Sequence, residues 1–165
     1  MCQYGQGVVR GLFEEFSNDR LRGVVIWVPI LPKDSLQAAE AEACDFTDSR
    51  ISHLWDTNRS LSEAFATSLG LQSPAWDVYL LFDSGAEWIG DDAPRPAYWM
   101  AQLPERVGAE RERLLQPARL AEELQLRLDR ERTEPQADLG LRLHATGLAA
   151  VRENRSAKAA VEKKA

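Results

Sequence analysis

The chain is poor in cysteine and histidine, with two of each in 165 residues. Cys2 and Cys44 are too few for a disulfide framework. His53 and His144 are too few and too scattered for an evident zinc site. The phosphate-cradling G-x-x-x-x-G-K-S/T, the hydrolase elbow G-x-S-x-G and the zinc-protease H-E-x-x-H are all missing, which removes the most recognisable catalytic classes. No apolar run approaches the ~18–20 residues of a membrane span. No basic stretch followed by a long apolar segment opens the chain, so no secretory signal is read and the expected location is the cytoplasm. Basic charge is also short: 20 Lys+Arg stand against 26 Asp+Glu, a net charge of -6. That argues against nucleic acid or an anionic membrane as the main partner. Neither a cofactor nor a metal is expected.

Aromatic residues are missing from the last 62 positions: all five Trp, five Phe and three Tyr precede Leu103. Acidic charge is concentrated in the same first part, which carries 7 Lys+Arg against 15 Asp+Glu. Aromatics supply much of a core's buried area, so the globular domain is placed at 1–103. Residues 104–152 are read as a helical extension and 153–165, short-sided and charged, as a disordered tail. Within the extension, PARLAEELQLRLDRER (117–132) favours helix, with Ala121, Leu124 and Leu128 on one face and Leu120 beside Leu124, i,i+4 pairs Glu123–Arg127 and Arg127–Glu131, and Pro117 in the first turn. The stripe docks on the domain, or the helix around Ala118–Arg132 meets a partner. A weaker helix is expected at 139–152.

In the first part, Val8, Val9, Leu12, Phe13 and Phe16 share one face of a helix over 6–17. Gly23-Val24-Val25-Ile26-Trp27-Val28 is an unbroken β-branched run, the pattern of a strand covered on both faces. Asp34 is expected to cap a helix carrying Leu36 and Cys44, with Cys44 as a small buried residue. Ile51 to Trp55 reads as a strand. Ser60 and Glu63 match a capping box for a helix that Gly70 ends. Asp77 to Phe82 is a strand, Glu87 to Ile89 its antiparallel return, and Ala97 to Leu103 a last helix. The order α, β, α, β, α, β, β, α implies a three-layer α/β domain with a mixed sheet.

Three stretches, V-V-I-W-V-P, H-L-W-D and W-D-V-Y-L-L-F, with Cys2-Gln3-Tyr4-Gly5 opening the first helix, resemble a bacterial thioredoxin-like group of unassigned role. The resemblance covers residues 2–103. It implies a thioredoxin-like fold, thiol–disulfide exchange or thiol sensing through Cys2, and a protein or low-molecular-weight thiol as partner. The sequence departs from the family in three places. Gly5 fills the second-cysteine position, so Cys2 is a monothiol. Asp77 fills the place of the proline that precedes the main strand. No strand precedes Cys2, so either the reading frame extends upstream of Met1, making this a truncated family member, or the sheet lacks that strand.

Cys2 is the candidate catalytic residue, because a thiol at a helix start is more readily ionised. The bland alternative is an idle residue near the terminus. Tyr4, Trp76 and Asp77 are the candidates to line a cleft beside it. His53 with Asp56 is read as a surface histidine and a helix-capping aspartate rather than an acid–base pair. Asp91 and Asp92 are read as the end of a hairpin, since their spacing is not that of a calcium loop. A second function class stays open: a non-catalytic thioredoxin-like domain that binds a protein.

Overall fold

The continuous run Gly23–Trp27 forms strand β1, and Ile51–Trp55 forms β2 beside it, parallel and in register from Gly23 against Ile51 to Trp27 against Trp55. The computed structural model describes residues 3–133. Cys2, the helix expected at 139–152 and the tail at 153–165 lie outside the described residues. Helix α1 (Gln3–Glu15) precedes β1, α2 (Leu36–Asp45) joins β1 to β2, and α3 (Ser60–Leu69) follows β2. Strand β3 (Val78–Leu81) pairs antiparallel with β4 (Tyr98–Ala101). A short α4 (Pro104–Val107) and a 3-10 turn at Arg111–Arg113 lead to α5 (Pro117–Thr133). The described residues are mixed α/β, with five α-helices and small parallel and antiparallel sheets.

Several expectations are corrected. The described strands form two two-stranded sheets, not one mixed sheet. The segment 97–103 is not a helix: Tyr98–Ala101 is the strand that returns along β3. Residues 87–89 form no returning strand; Ile89 instead closes a tight bridge with Asp92. Ser35, not Asp34, caps α2, its Oγ accepting from Ala38 N at 3.2 Å. Asp34 folds back on its own loop, where one carboxylate oxygen accepts from Ile30 N and Leu31 N. Cys44 is exposed rather than buried. The start of α3 is capped by Asp56, whose carboxylate accepts from Ser62 N at 2.9 Å and Leu61 N at 3.3 Å. Gly70 ends that helix in the left-handed conformation, φ 70°, which glycine adopts without strain.

Leucines of the extension complete the core. Leu12 of α1 and Met100 of β4 pack in one cluster with Leu115, Leu120 and Leu124, so the core crosses position 103. The contacts also order the layer of helices. Phe46, at the end of α2, meets His53 of β2 edge to face. α1 lies beside α2, with Gln6 Nε2 donating to Glu42 O at 3.0 Å and Arg10 to Asp45 O at 2.7 Å. On its other side α1 meets α5 through Leu12, and α5 covers β4. Helix α2 thus meets β2, α1 meets both β1 and β3, and α5 meets β4. Phe65 of α3 packs against Phe82, just after β3, at 6.1 Å between ring centres.

β1 and β3 run in opposite directions. Arg20, ahead of β1, donates to Glu131 O at 3.3 Å, and Ser84 N, after β3, donates to the Glu131 carboxylate at 2.8 Å. At the other end, the charge of Asp34, in the loop that leaves β1, acts on Asp77, which opens β3.

Candidate functional site

The first turn of α1 stands on the start of the β3–β4 pair. Gly5 is buried there, and a Cβ at that position would collide with the Tyr79 hydroxyl and come within 2.8 Å of Gln102 Nε2. Absence of a side chain is what permits this approach. Gln102 ties the cluster together: its Nε2 donates to the Tyr79 hydroxyl at 2.5 Å, and its main-chain N donates to Asp77 O at 2.9 Å. Tyr4 is 58% exposed and lines a groove with Val8 and Leu12 of α1 and Pro117 and Ala118 of α5, not this cluster.

Asp77 is held at φ 52°, a left-handed conformation that Asp and Asn tolerate better than most residues. Burial pushes its carboxyl above the usual carboxylate range, and the nearby Asp34 charge pushes the same way. Both causes disfavour the ionised form. Trp76 is half-buried next to it. The structure therefore brings together Gly5 and Asp77, through Gln102, at the head of α1.

Tyr79 and Gln102 escaped the sequence reading as site residues, and Asp34 entered it only as a helix cap. Tyr79 lies inside an apolar strand and reads as core. Gln102 falls in the segment mistaken for a helix. Only the glycine, so near a helix start, signals a close approach.

His53 belongs to a different arrangement. Its Nδ1 accepts from Trp27 Nε1 at 3.2 Å, and its Nε2 lies 3.1 Å from Phe46 O. Nδ1 must then be the bare nitrogen, and Nε2–H donates to the carbonyl. The histidine is half-buried, not a surface residue, and Asp56 is engaged with α3. These two do not form an acid–base pair. Among the described residues no group of three or more His, Cys, Asp or Glu could hold a metal ion, and no helix is long and apolar enough to cross a membrane.

No family model, curated protein or solved structure matches the chain.

Proposed function

We propose that the chain is a thioredoxin-like protein that performs monothiol exchange through Cys2, the residue directly ahead of α1. The observation that carries this reading is the seating of the first turn of α1 on Tyr79 and Gln102. A 13-residue helix with a fixed start offers its unsatisfied N–H groups to an anion in front of it. A thiolate is favoured in such a place. It attacks one sulfur of a disulfide such as oxidised glutathione. The S–S bond breaks, a mixed disulfide forms on Cys2, and the departing thiolate takes up a proton. Water supplies that proton. With Gly5 where a second cysteine would stand, a second external thiolate attacks the glutathione sulfur and restores the Cys2 thiolate, releasing the mixed disulfide of glutathione with that thiol.

The test is the pH dependence of Cys2 alkylation in a Cys44→Ala variant, so that one thiol reports. An apparent pKa well below the ordinary ~8.5 supports the reading. A value at or above it ends the thiol proposal.

A second reading, a non-catalytic thioredoxin-like domain that binds polypeptide, is favoured by a separate observation. β1 and β3 each have a ladder partner on one side only among the described residues. Such edges invite another strand.

A further inference from the structure

Helices α1 and α5 lie side by side and run in the same direction. Tyr4 and Pro117, near their starts, line one groove. Further along, Leu12 packs with Leu120 and Leu124. Arg20, just after α1, donates to Glu131 O near the end of α5. The groove between the two helices is walled by Tyr4, Val8 and Leu12 on one side and by Pro117, Ala118 and Ala121 on the other, with a volume of about 490 Å³. Gly7 and Gly11 keep its floor open, since a Cβ built on either meets no described atom within 4 Å. Its one charged lining residue is Glu15. A trough between two packed helices is the shape into which the side-chain ridge of a third helix fits.

The chain itself has a segment of matching length that starts at the right end. Residues 134–165 follow α5 and lie outside the described residues. α5 has 17 residues, a length of about 25 Å. A segment that leaves at Thr133 and returns to Ala118 covers nearly that distance. Residues 134–138, with Pro135 to stop α5, make a connection of ordinary length between antiparallel helices. The helix expected at 139–152 is about 21 Å long. In such a helix Leu141, Ala145, Leu148 and Val151 share one face.

Charge and tethering separate this occupant from a second copy. Residues 1–133 carry 14 Lys+Arg against 22 Asp+Glu, whereas residues 139–165 carry 6 against 2. A second copy brings acidic surface to acidic surface, while the chain's own end brings basic charge. Run antiparallel to α1, the segment brings Arg142 in at the end that exposes Glu14 and Glu15. The short tether also holds the segment at an effective concentration of about the millimolar range, well above that of a second copy in dilute solution.

We propose that residues 139–152 fold back antiparallel to α5 and lay Leu141, Ala145, Leu148 and Val151 into the α1–α5 groove, as an intramolecular cover. Side chains of the segment, rather than its backbone, fill the space above Gly7 and Gly11. The face of α5 at Ala118 and Ala121, which a partner helix would use, is thereby held by the chain itself. The cover rests on neither reading of the function, so it stands or falls apart from them.

Methyl NOEs in the full, isotopically labelled 165-residue chain test the cover. The expected result is contact of the Leu148 and Val151 methyls with those of Ala118 and Ala121 within one molecule. A Leu141→Asp, Leu148→Asp double variant is expected to lose these contacts. It keeps those between Leu12 and Leu120, which report the intact core. Three results overturn the proposal. One is the absence of any contact between 139–152 and the groove. Another is contact that isotope filtering, in a mixture of labelled and unlabelled chains, places between two molecules, which is a second copy. The third is survival of the contacts in the double variant.

Discussion

Trp27 and His53 are joined across the parallel pair by a hydrogen bond of 3.2 Å from the indole N–H to Nδ1, with the two ring planes 12° from parallel. The same imidazole reaches Phe46 O on its other side, so one side chain links β1, β2 and the end of α2. A His53→Leu variant strands an indole donor and a carbonyl acceptor together. It is expected to cost about 1–3 kcal/mol in denaturant unfolding. Trp27→Phe added to it costs much less than Trp27→Phe alone, because the donor has already lost its partner.

Gly5 is placed where a methyl group does not fit. Gly5→Ala gains helix propensity but must push apart Tyr79 and Gln102, and a net loss of about 1–2 kcal/mol is expected. Gly7 and Gly11 lie on the same helix with nothing within 4 Å of a built Cβ. Alanine at either is expected to stabilise the chain by about 0.5–1 kcal/mol. Tyr79→Phe, which removes the colliding hydroxyl, recovers part of the Gly5→Ala loss. Urea midpoints of the five proteins check the set.

Two carboxyls give opposite pH dependences. The Arg50 guanidinium, through its hydrogen bonds to Asp48, lowers the Asp48 pKa from 3.8 to about 2. Its contribution to stability is complete above pH 3.8 and is lost as pH falls through about 2. Asp77 is shifted upward by burial, so the folded chain favours the protonated form and loses stability as pH rises from 3.8 through its raised pKa. Thermal melts from pH 2 to 7 are expected to show a shallower acid loss in Asp48→Asn. Asp77→Asn is expected to melt higher than the parent at pH 7 and level with it near pH 3, asparagine being tolerated at φ 52°.

Helix α5 belongs to the core. Leu120 and Leu124 are buried against Leu12, Leu115 and Met100, and Leu→Ala at either is expected to cost about 2–5 kcal/mol. Leu126, on the same helix, is 51% exposed; alanine there is expected to change stability by less than about 0.5 kcal/mol. Equilibrium unfolding of the three variants separates a docked helix from a solvated one.

Elements with a strong local signal were readable in advance. The β-branched run at Gly23–Trp27, the glycine stop at Gly70 and the leucine spacing of α5 each carry their structure in short-range pattern. Tyr98–Ala101 does not. Its neighbours Ala97, Gln102 and Leu103 suit a helix, and only pairing with β3, about twenty residues upstream, makes it a strand. Placing the core by aromatic content also misled, because leucines of α5 close it. At the candidate site, Gly5 and Asp77 could be singled out from local sequence. The Tyr79–Gln102 bond could not, since it depends on the same long-range pairing.

The clasp made by Glu131 has a consequence for biosynthesis. Arg20 and Glu131 are 111 positions apart, and Met100 is enclosed only when Leu120 and Leu124 arrive. A nascent chain still held by the ribosome before α5 emerges has its first helix and both sheets in solution without the helix that covers them. Closure must therefore wait until α5 has left the ribosome, and until then the apolar surface of β4 and α1 is available to chaperones.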